Sequence, residues 1–502
     1  MSIHSLPIEV LQKIFTYFSY RELLPLSLVC HRWNEASVKF IVCKGKFNVT
    51  RALRDSEECA EEGRLINPSV VIGNIARDYR ALVVEDGQQH ELTIAACVQR
   101  FPIIDALQLE DVLCWDQHCL YTTYQGWFTQ CRLIVVSLQS CHGSKTADEP
   151  LDCIWTMTNL KRLVWLECDY DPLRKVTINA PNLESIYLKG SKGSSPGEIK
   201  LQCALLKHIE CKPKEHDFPD MFITDLGSVE TLQLILENRI DLGFFRGLRQ
   251  LTDLDLTLDC KMKSLDELMN VCSGLPITIL NISCSIERSF INLEEFFANF
   301  TELESLTLCR VDFYAERDIL LRQLKNLELR CVEYCEDVTL NVPSLTHLTL
   351  ESDILDKIIF TNASSLLNLS LYLTSEKLKN CLEQTVFPFL DIHRNVESLT
   401  LINKRFRKND DFIHKSTNTH IWLNLRSLEL RWINVTVDFF RVFTESKQLH
   451  NLTLTDCNID CTGLPDAEHI RLDSVERMVI GQRCYLKNTI RTDFPLLAGE
   501  HS

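Results

Sequence analysis

The chain is 502 residues long, 45% hydrophobic and 24% charged, with a formal net charge of −16. That balance belongs to folded globular domains, two or three of them or one elongated one, and it gives nucleic-acid binding no electrostatic support. No apolar run is long enough to span a bilayer, so neither nucleic acid nor membrane is expected among the partners. The N-terminus lacks the basic-then-apolar pattern of a secretory signal, and the C-terminus carries no prenylation signal. The 22 cysteines are too dilute for a disulfide scaffold and are expected to be reduced, in a cytoplasmic or nuclear compartment.

The first predicted elements lie between Leu6 and Trp33. Leu11, Ile14, Phe15 and Phe18 recur at the spacing of one helix face. Pro7 suits a first helical turn, where its missing N–H costs nothing, and Glu9 complements the positive end of the helix dipole. Ser19-Tyr20-Arg21-Glu22 has capping-box spacing ahead of Leu23, Leu24 and Leu26, which predicts a second helix. Val29, Cys30 and Trp33 form a third short apolar series. Three short helices cannot bury that surface among themselves, so part of it must face a neighbour.

The pattern Leu6-Pro7-x-Glu9-x-Leu11-x-x-Ile14-Phe15-x-x-Phe18, then Arg21-x-Leu23, then Val29-Cys30-x-x-Trp33, resembles an F-box. In that family the motif docks onto the Skp-type adaptor of a cullin–RING ubiquitin ligase. Pro25 departs from the family, which has a helix-friendly polar residue there; proline removes a backbone bond. The resemblance implies an F-box over residues 1–43. It also implies an adaptor-binding set of Leu6, Pro7, Glu9, Leu11, Ile14, Phe15, Phe18, Leu23, Leu26, Val29, Cys30 and Trp33, touching the adaptor or packed behind the contact.

Residues 44–75 read as a helical linker or cap to the repeats, with an acidic helix over 50–62. From 76 to 490 one pattern recurs: apolar, two of any kind, apolar, one of any kind, apolar. It is cleanest at Leu303-x-x-Leu306-x-Leu308 and at the copies starting at Leu324, Leu345 and Leu366, each 21 residues after the last. Other copies start at Tyr79, Ile104, Leu133, Leu160, Leu183, Leu206, Val229, Leu251, Ile277, Val396, Leu425, Leu449 and Val475, about seventeen units in all. The last two apolar positions of a unit are two apart and face one side of a short strand. One unit has no core of its own, so units must stack. Cys141, Cys168 and Cys457 fall where the leucine-rich repeat uses Asn or Cys.

The expected fold class is therefore α/β: a curved leucine-rich-repeat solenoid, with a parallel sheet on its concave face and helices outside. It comes after a small three-helix F-box and precedes a tail at 491–502. Seventeen strands at about 4.8 Å each would run roughly 80 Å. Three stretches interrupt the period: a Gly/Ser-rich loop at 189–197, a longer amphipathic helix at 375–389, and a polar segment at 404–420. The helix carries Leu378, Leu382 and Val386 and is expected to end at Phe387-Pro388. The polar segment, with Lys404, Arg405, Arg407 and Lys408, is the best candidate for a clamp over a partner.

Cys114 with His118 and Cys119, Cys141-His142, Cys331 with Cys335, and Cys457 with Cys461 all lack the paired spacing of a structural zinc site. No Walker A loop, dinucleotide fingerprint, HExxH or GxSxG occurs. No metal, cofactor or catalytic residue is expected. Function then rests on outward residues of the strands, such as Gln108, Tyr187, Lys189, Glu210, Lys212, Asp255, Asn281, Glu328 and Glu429. Arg330, Glu351, Tyr372, Arg431 and Trp432 form the candidate substrate-binding set, rich in residue types that make interface hot spots.

With the repeats included, nearly the whole chain is similar to F-box/leucine-rich-repeat proteins, the substrate-receptor subunits of SCF ubiquitin ligases. The resemblance implies a non-catalytic subunit that binds a Skp-type adaptor, and through it cullin and RING subunits. A protein substrate on the repeats would then be held near the ubiquitin thioester at raised effective concentration. The alternative is an interaction scaffold that binds the adaptor without ligase function. A small-molecule-gated receptor, as in the plant hormone branch, would need a basic cluster on consecutive strands, and here the charges alternate in sign.

Overall fold

A computed structural model describes residues 6–18, 46–58, 79–87, 96–97, 99–101, 104–114, 133–139, 142–143, 151–166, 173–189, 198–212, 220–223, 226–236, 242–258, 265–285, 288–335, 338–373, 382–404, 424–436, 448–460, 477–480 and 485–487, with 23, 26, 33, 36, 37, 71, 72, 75, 439 and 475 singly. The chain divides into two compact units, Met1–Leu251 and Thr252–Ser502.

The first unit opens with the helix Ile8–Phe15. Pro7 stands one residue ahead of it as the N-cap, in extended conformation, and its carbonyl accepts from the amides of Val10 and Leu11 at 3.1 Å each. Leu11, Phe15, Leu23, Trp33 and Ala36 form the core of this region, with Leu6, Ile8, Ile14, Phe18 and Leu26 packed around it. Phe15 meets Trp33 edge-on at 5.6 Å and Phe18 at 6.2 Å. Leu23, Leu26, Trp33, Ala36 and Ser37 are helical.

The 44–75 segment is not helical throughout. One helix is Val49–Glu58, Val71 and Ile72 are also helical, and ahead of both Lys46–Asn48 is a strand paired in parallel with Ala81–Gly87. The sheet of the first unit thus starts at Lys46, earlier than the repeat pattern shows. Ala106–Cys114, Val135–Gln139, Arg162–Leu166, Ser185–Lys189, His208–Lys212 and Thr231–Leu236 come next, each parallel to the one before. Leu163, Ile186, Ile209 and Leu232 align across these strands and are buried. Behind this sheet, Leu151–Thr156, Leu173–Asn179, Glu198–Gln202 and Asp220–Ile223 form a second parallel sheet. Trp155 of that layer stacks on Trp165 of the first at 5.7 Å.

The second unit repeats the design with Asp253–Leu258, Ile279–Cys284, Ser305–Cys309, Asn326–Arg330, His347–Glu351, Asn368–Leu373, Ser398–Asn403, Ser427–Arg431, Asn451–Thr455 and Arg477–Ile480, all parallel. Leu306, Leu327, Leu348, Leu369, Leu399, Leu428 and Leu452 lie in one register and are buried. Each such leucine contributes about 1.5–3 kcal/mol by leaving water. This is the parallel-sheet solenoid that the repeat implies, and a strand begins two residues after every repeat start in both units.

The outer layer holds short strands as well as the short helices and irregular segments expected there. At the 21-residue spacing the outer segments carry short strands, Ile319–Leu320, Val338–Asn341 and Ile358–Thr361, the last preceded by a one-turn helix, Ser352–Leu355. At 26 residues helices appear, Leu265–Cys272 and Leu293–Asn299. A helix rises about 1.5 Å per residue against about 3.3 Å for a strand, so the shortest turns have room for no more than a single helical turn beside their strand. Asn292 caps the second helix, its Oδ1 accepting from the amides of Glu294 (2.9 Å) and Glu295 (3.5 Å). The helix expected to end at Phe387-Pro388 instead continues there: a π-helical turn, Leu382–Val386, leads into the helix Phe387–Ile392 with Pro388 in its first turn.

Two features close the turns of the second unit. The residue after the strand takes a left-handed conformation at Arg310 (φ 59°), Cys331 (φ 54°), Trp432 (φ 56°) and Asp456 (φ 53°). The buried Asp312 then pins the segment after Cys331: its Oδ1 accepts from the Glu333 and Tyr334 amides at 2.9 and 3.0 Å and from Arg288 Nη1 at 3.2 Å. Cys457, at the position where the repeat uses Asn or Cys, is buried and its Sγ donates to the Leu430 carbonyl at 3.2 Å. Cys141 and Cys168 lie outside the described residues.

Candidate interaction surfaces

Because side chains alternate along each strand, the leucines face inward and the residues between them face out. On the second unit this sets Arg330, Glu351 and Tyr372 on neighbouring strands, Glu351 directly opposite Tyr372. The Arg330 guanidinium lies 5.1 Å from the centre of the Tyr372 ring and the Lys404 ammonium 4.8 Å from it. Lys404, one residue beyond Ser398–Asn403, reaches back past Tyr372 to pair with the buried carboxylate of Glu351 and lies 3.8 Å from Cys331 Sγ. Burial disfavours the Lys404 charge, but its hydrogen bond to Glu351 and the Coulomb attraction outweigh it and raise its pKa. Burial and then the Glu351 charge push the Cys331 thiol up.

Arg330 pairs through Nε with Glu328, two residues back on its own strand. Arg431 does the same with Glu429 at 2.6 Å. Trp432 is partly exposed and its indole Nε1 donates to Asp456 Oδ2 at 3.0 Å. The structure therefore brings Arg330, Glu351 and Tyr372 into one cluster, with Arg431 and Trp432 further along the same strand ends. Lys404, read in the sequence as part of a clamp, belongs to this cluster as the partner of Glu351. Its pairing across 53 residues left no local signal. Arg405, Arg407 and Lys408 lie outside the described residues. On the first unit, Tyr187, Glu210 and Lys212 face out together: Lys212 pairs with Glu210 at 2.5 Å and lies 5.7 Å from the Tyr187 ring.

At the N-terminus the adaptor-binding set splits by burial. Leu11, Phe15, Leu23 and Trp33 are in the core, turned away from solvent. Pro7 is exposed, and Leu6, Ile14, Phe18 and Leu26 are half-buried around that core. The helix exposes Val10 and the turn after it exposes Tyr17, the latter at 83%; both stand outside the F-box motif positions. Val29, Cys30 and the Glu9 side chain lie outside the described residues. Among the described residues no three His, Cys, Asp or Glu side chains gather to hold a metal; Cys335 is buried and Cys331 half-buried.

Residues 3–41 match the family model described as F-box-like. This N-terminal region is an F-box-like domain. The F-box-like domain covers only the start of the chain; the leucine-rich character of the remainder rests on its own repeat and strand register. No curated protein matches the chain. Among solved structures, an internalin (inlF) from Listeria monocytogenes str. 4b F2365 is similar over 86% of this chain and 94% of its own, with 14% identity and a TM-score of 0.28. At that score it bears on neither fold nor function. With an F-box-like domain ahead of leucine-rich repeats, the chain is built for protein interaction.

Proposed function

We propose that this protein is the substrate-recognition subunit of an SCF-type cullin–RING ubiquitin ligase. The F-box-like domain docks to a Skp-type adaptor, and the outward face of the repeats binds a protein substrate. The supporting observation is the F-box-like match at residues 3–41, joined to a helix that keeps Leu11 and Phe15 inside and, with the turn after it, leaves Val10 and Tyr17 exposed. Such a subunit makes and breaks no bonds. It raises the concentration of substrate lysines near the ubiquitin thioester, converting an encounter into a near-intramolecular step. A cytoplasmic or nuclear location is part of this reading.

The test is binding of the purified full chain to a Skp-type adaptor and, with the adaptor present, to a cullin. Wild type is compared with Val10→Asp plus Tyr17→Asp, whose sites are exposed, with circular dichroism as the folding control. Tight adaptor binding that the folded double variant loses by tenfold or more supports the docking face. Recruitment of cullin separates a ligase subunit from an adaptor-bound scaffold. Absence of adaptor binding by folded wild type would end the proposal.

A further inference from the structure

Two strands of the second unit end in the same four residues, Leu327-Glu328-Leu329-Arg330 and Leu428-Glu429-Leu430-Arg431. In each the carboxylate sits deeper than the cation it pairs with. Side-chain exposure is 27% for Glu328 against 44% for Arg330, and 25% for Glu429 against 46% for Arg431. Lys404 and Glu351 repeat the arrangement between strands, at 31% against 9%. An approaching group therefore meets three cationic heads first. Each arginine is held through Nε, and among the described residues neither has a hydrogen-bond acceptor for its Nη groups. Tyr372 fixes two of the heads in place through its ring.

Trp432 closes the row. It stands in the left-handed position that other turns fill with Arg310, Cys331 and Asp456, so the turn itself has no need of an indole. A bulky side chain there is disfavoured, yet the ring remains partly exposed. From Asn326–Arg330 to Ser427–Arg431 the sheet takes four strand steps. That is roughly 19 Å at about 4.8 Å per step, the span of about six extended residues.

We propose that this strand-end row binds an acidic peptide segment of the substrate. The segment lies extended across the strands, with Asp or Glu carboxylates on Arg330, Lys404 and Arg431 and an apolar residue against Trp432. The proposal rests on the substrate-receptor reading and names its substrate class. The two arginine pairs are no obstacle, because exposed ion pairs contribute little and an incoming carboxylate takes the outer edge of the guanidinium; Lys404 keeps its buried partner Glu351 and offers its remaining N–H donors. The net charge of −16 favours basic partners at long range; at this row the sign of the nearest charge reverses.

The experiment uses the full chain and three labelled octapeptides read by fluorescence anisotropy. One is Glu-rich with a single Leu, one replaces every Glu with Lys, and one carries phosphoserine in their place. The Glu-rich peptide is expected to bind at least tenfold tighter than the Lys peptide. Arg330→Gln with Arg431→Gln should lose at least tenfold of that affinity, and Trp432→Ala, tested separately in case the double variant does not fold, at least threefold. Equal or tighter binding of the Lys peptide, unchanged binding by the folded variants, or binding of the phosphoserine peptide alone overturns the proposal. Adaptor binding is measured on the same preparations. Peptide binding without adaptor binding would leave this surface standing and the receptor reading lost; adaptor binding without peptide binding would do the reverse.

Discussion

Replacing Asp312 by Ala removes a single oxygen that serves three donors: the amides of Glu333 and Tyr334 and the guanidinium of Arg288. Arg288 keeps its bond to the Cys331 carbonyl at 2.7 Å and its pairing with Glu333, so the charge is not stranded. The loss falls on the two amides. A hydrogen bond to a charged acceptor contributes about 1.5–3 kcal/mol, and water recovers part of it where the segment is exposed. The net cost is about 3 kcal/mol, placed locally on the turn after Cys331. Asp312→Asn keeps an acceptor oxygen in place and should cost about 1 kcal/mol. Because stacked turns open piecewise, global melting is a poor readout and amide hydrogen exchange a direct one. Three kcal/mol corresponds to about a hundredfold loss of protection at Glu333 and Tyr334, with amides of the inner strands little changed. Unaltered protection at those two amides in the Ala variant, or equal damage from Asn, would refute the reasoning.

Phe15→Ala should cost the F-box-like domain about 3–5 kcal/mol, since it empties a site packed against Trp33 and Phe18. Tyr17→Ala, at an exposed position, should change stability by less than about 0.5 kcal/mol; chemical denaturation tracked by circular dichroism compares the two. Lys404→Met leaves the buried Glu351 carboxylate without its ion pair and should cost about 2–3 kcal/mol, whereas Lys404→Met with Glu351→Gln should recover most of it. Amide hydrogen exchange of the strands His347–Glu351 and Ser398–Asn403 reads this double-mutant cycle. Burial pushes the thiols of Cys97 and Cys272 up from 9.0 to about 12. Both favour the folded state fully below pH 9.0, and that contribution drains away as pH rises from 9.0 towards about 12, because the unfolded chain ionises first. Stability measured across that window should fall; a flat profile would count against their burial.

The sequence by itself determined what depends on neighbours within a few residues. The period of two in Leu-x-Leu sets which side of each strand enters the core, so the strand positions and the outward row could be read without coordinates. The spacing of Leu11, Ile14, Phe15 and Phe18 likewise placed one helix face, and the F-box-like match covers that segment. The tertiary structure alone decided which of those F-box residues are core and which are open to a partner, because burial depends on helices that approach from elsewhere in the chain. It decided that the shorter turns carry outer strands, and that Lys46–Asn48 joins the sheet. It also turned Lys404 from a loop cation into the partner of Glu351. Each of these rests on contacts between residues far apart in sequence, whose energies appear only when stacking brings the turns together.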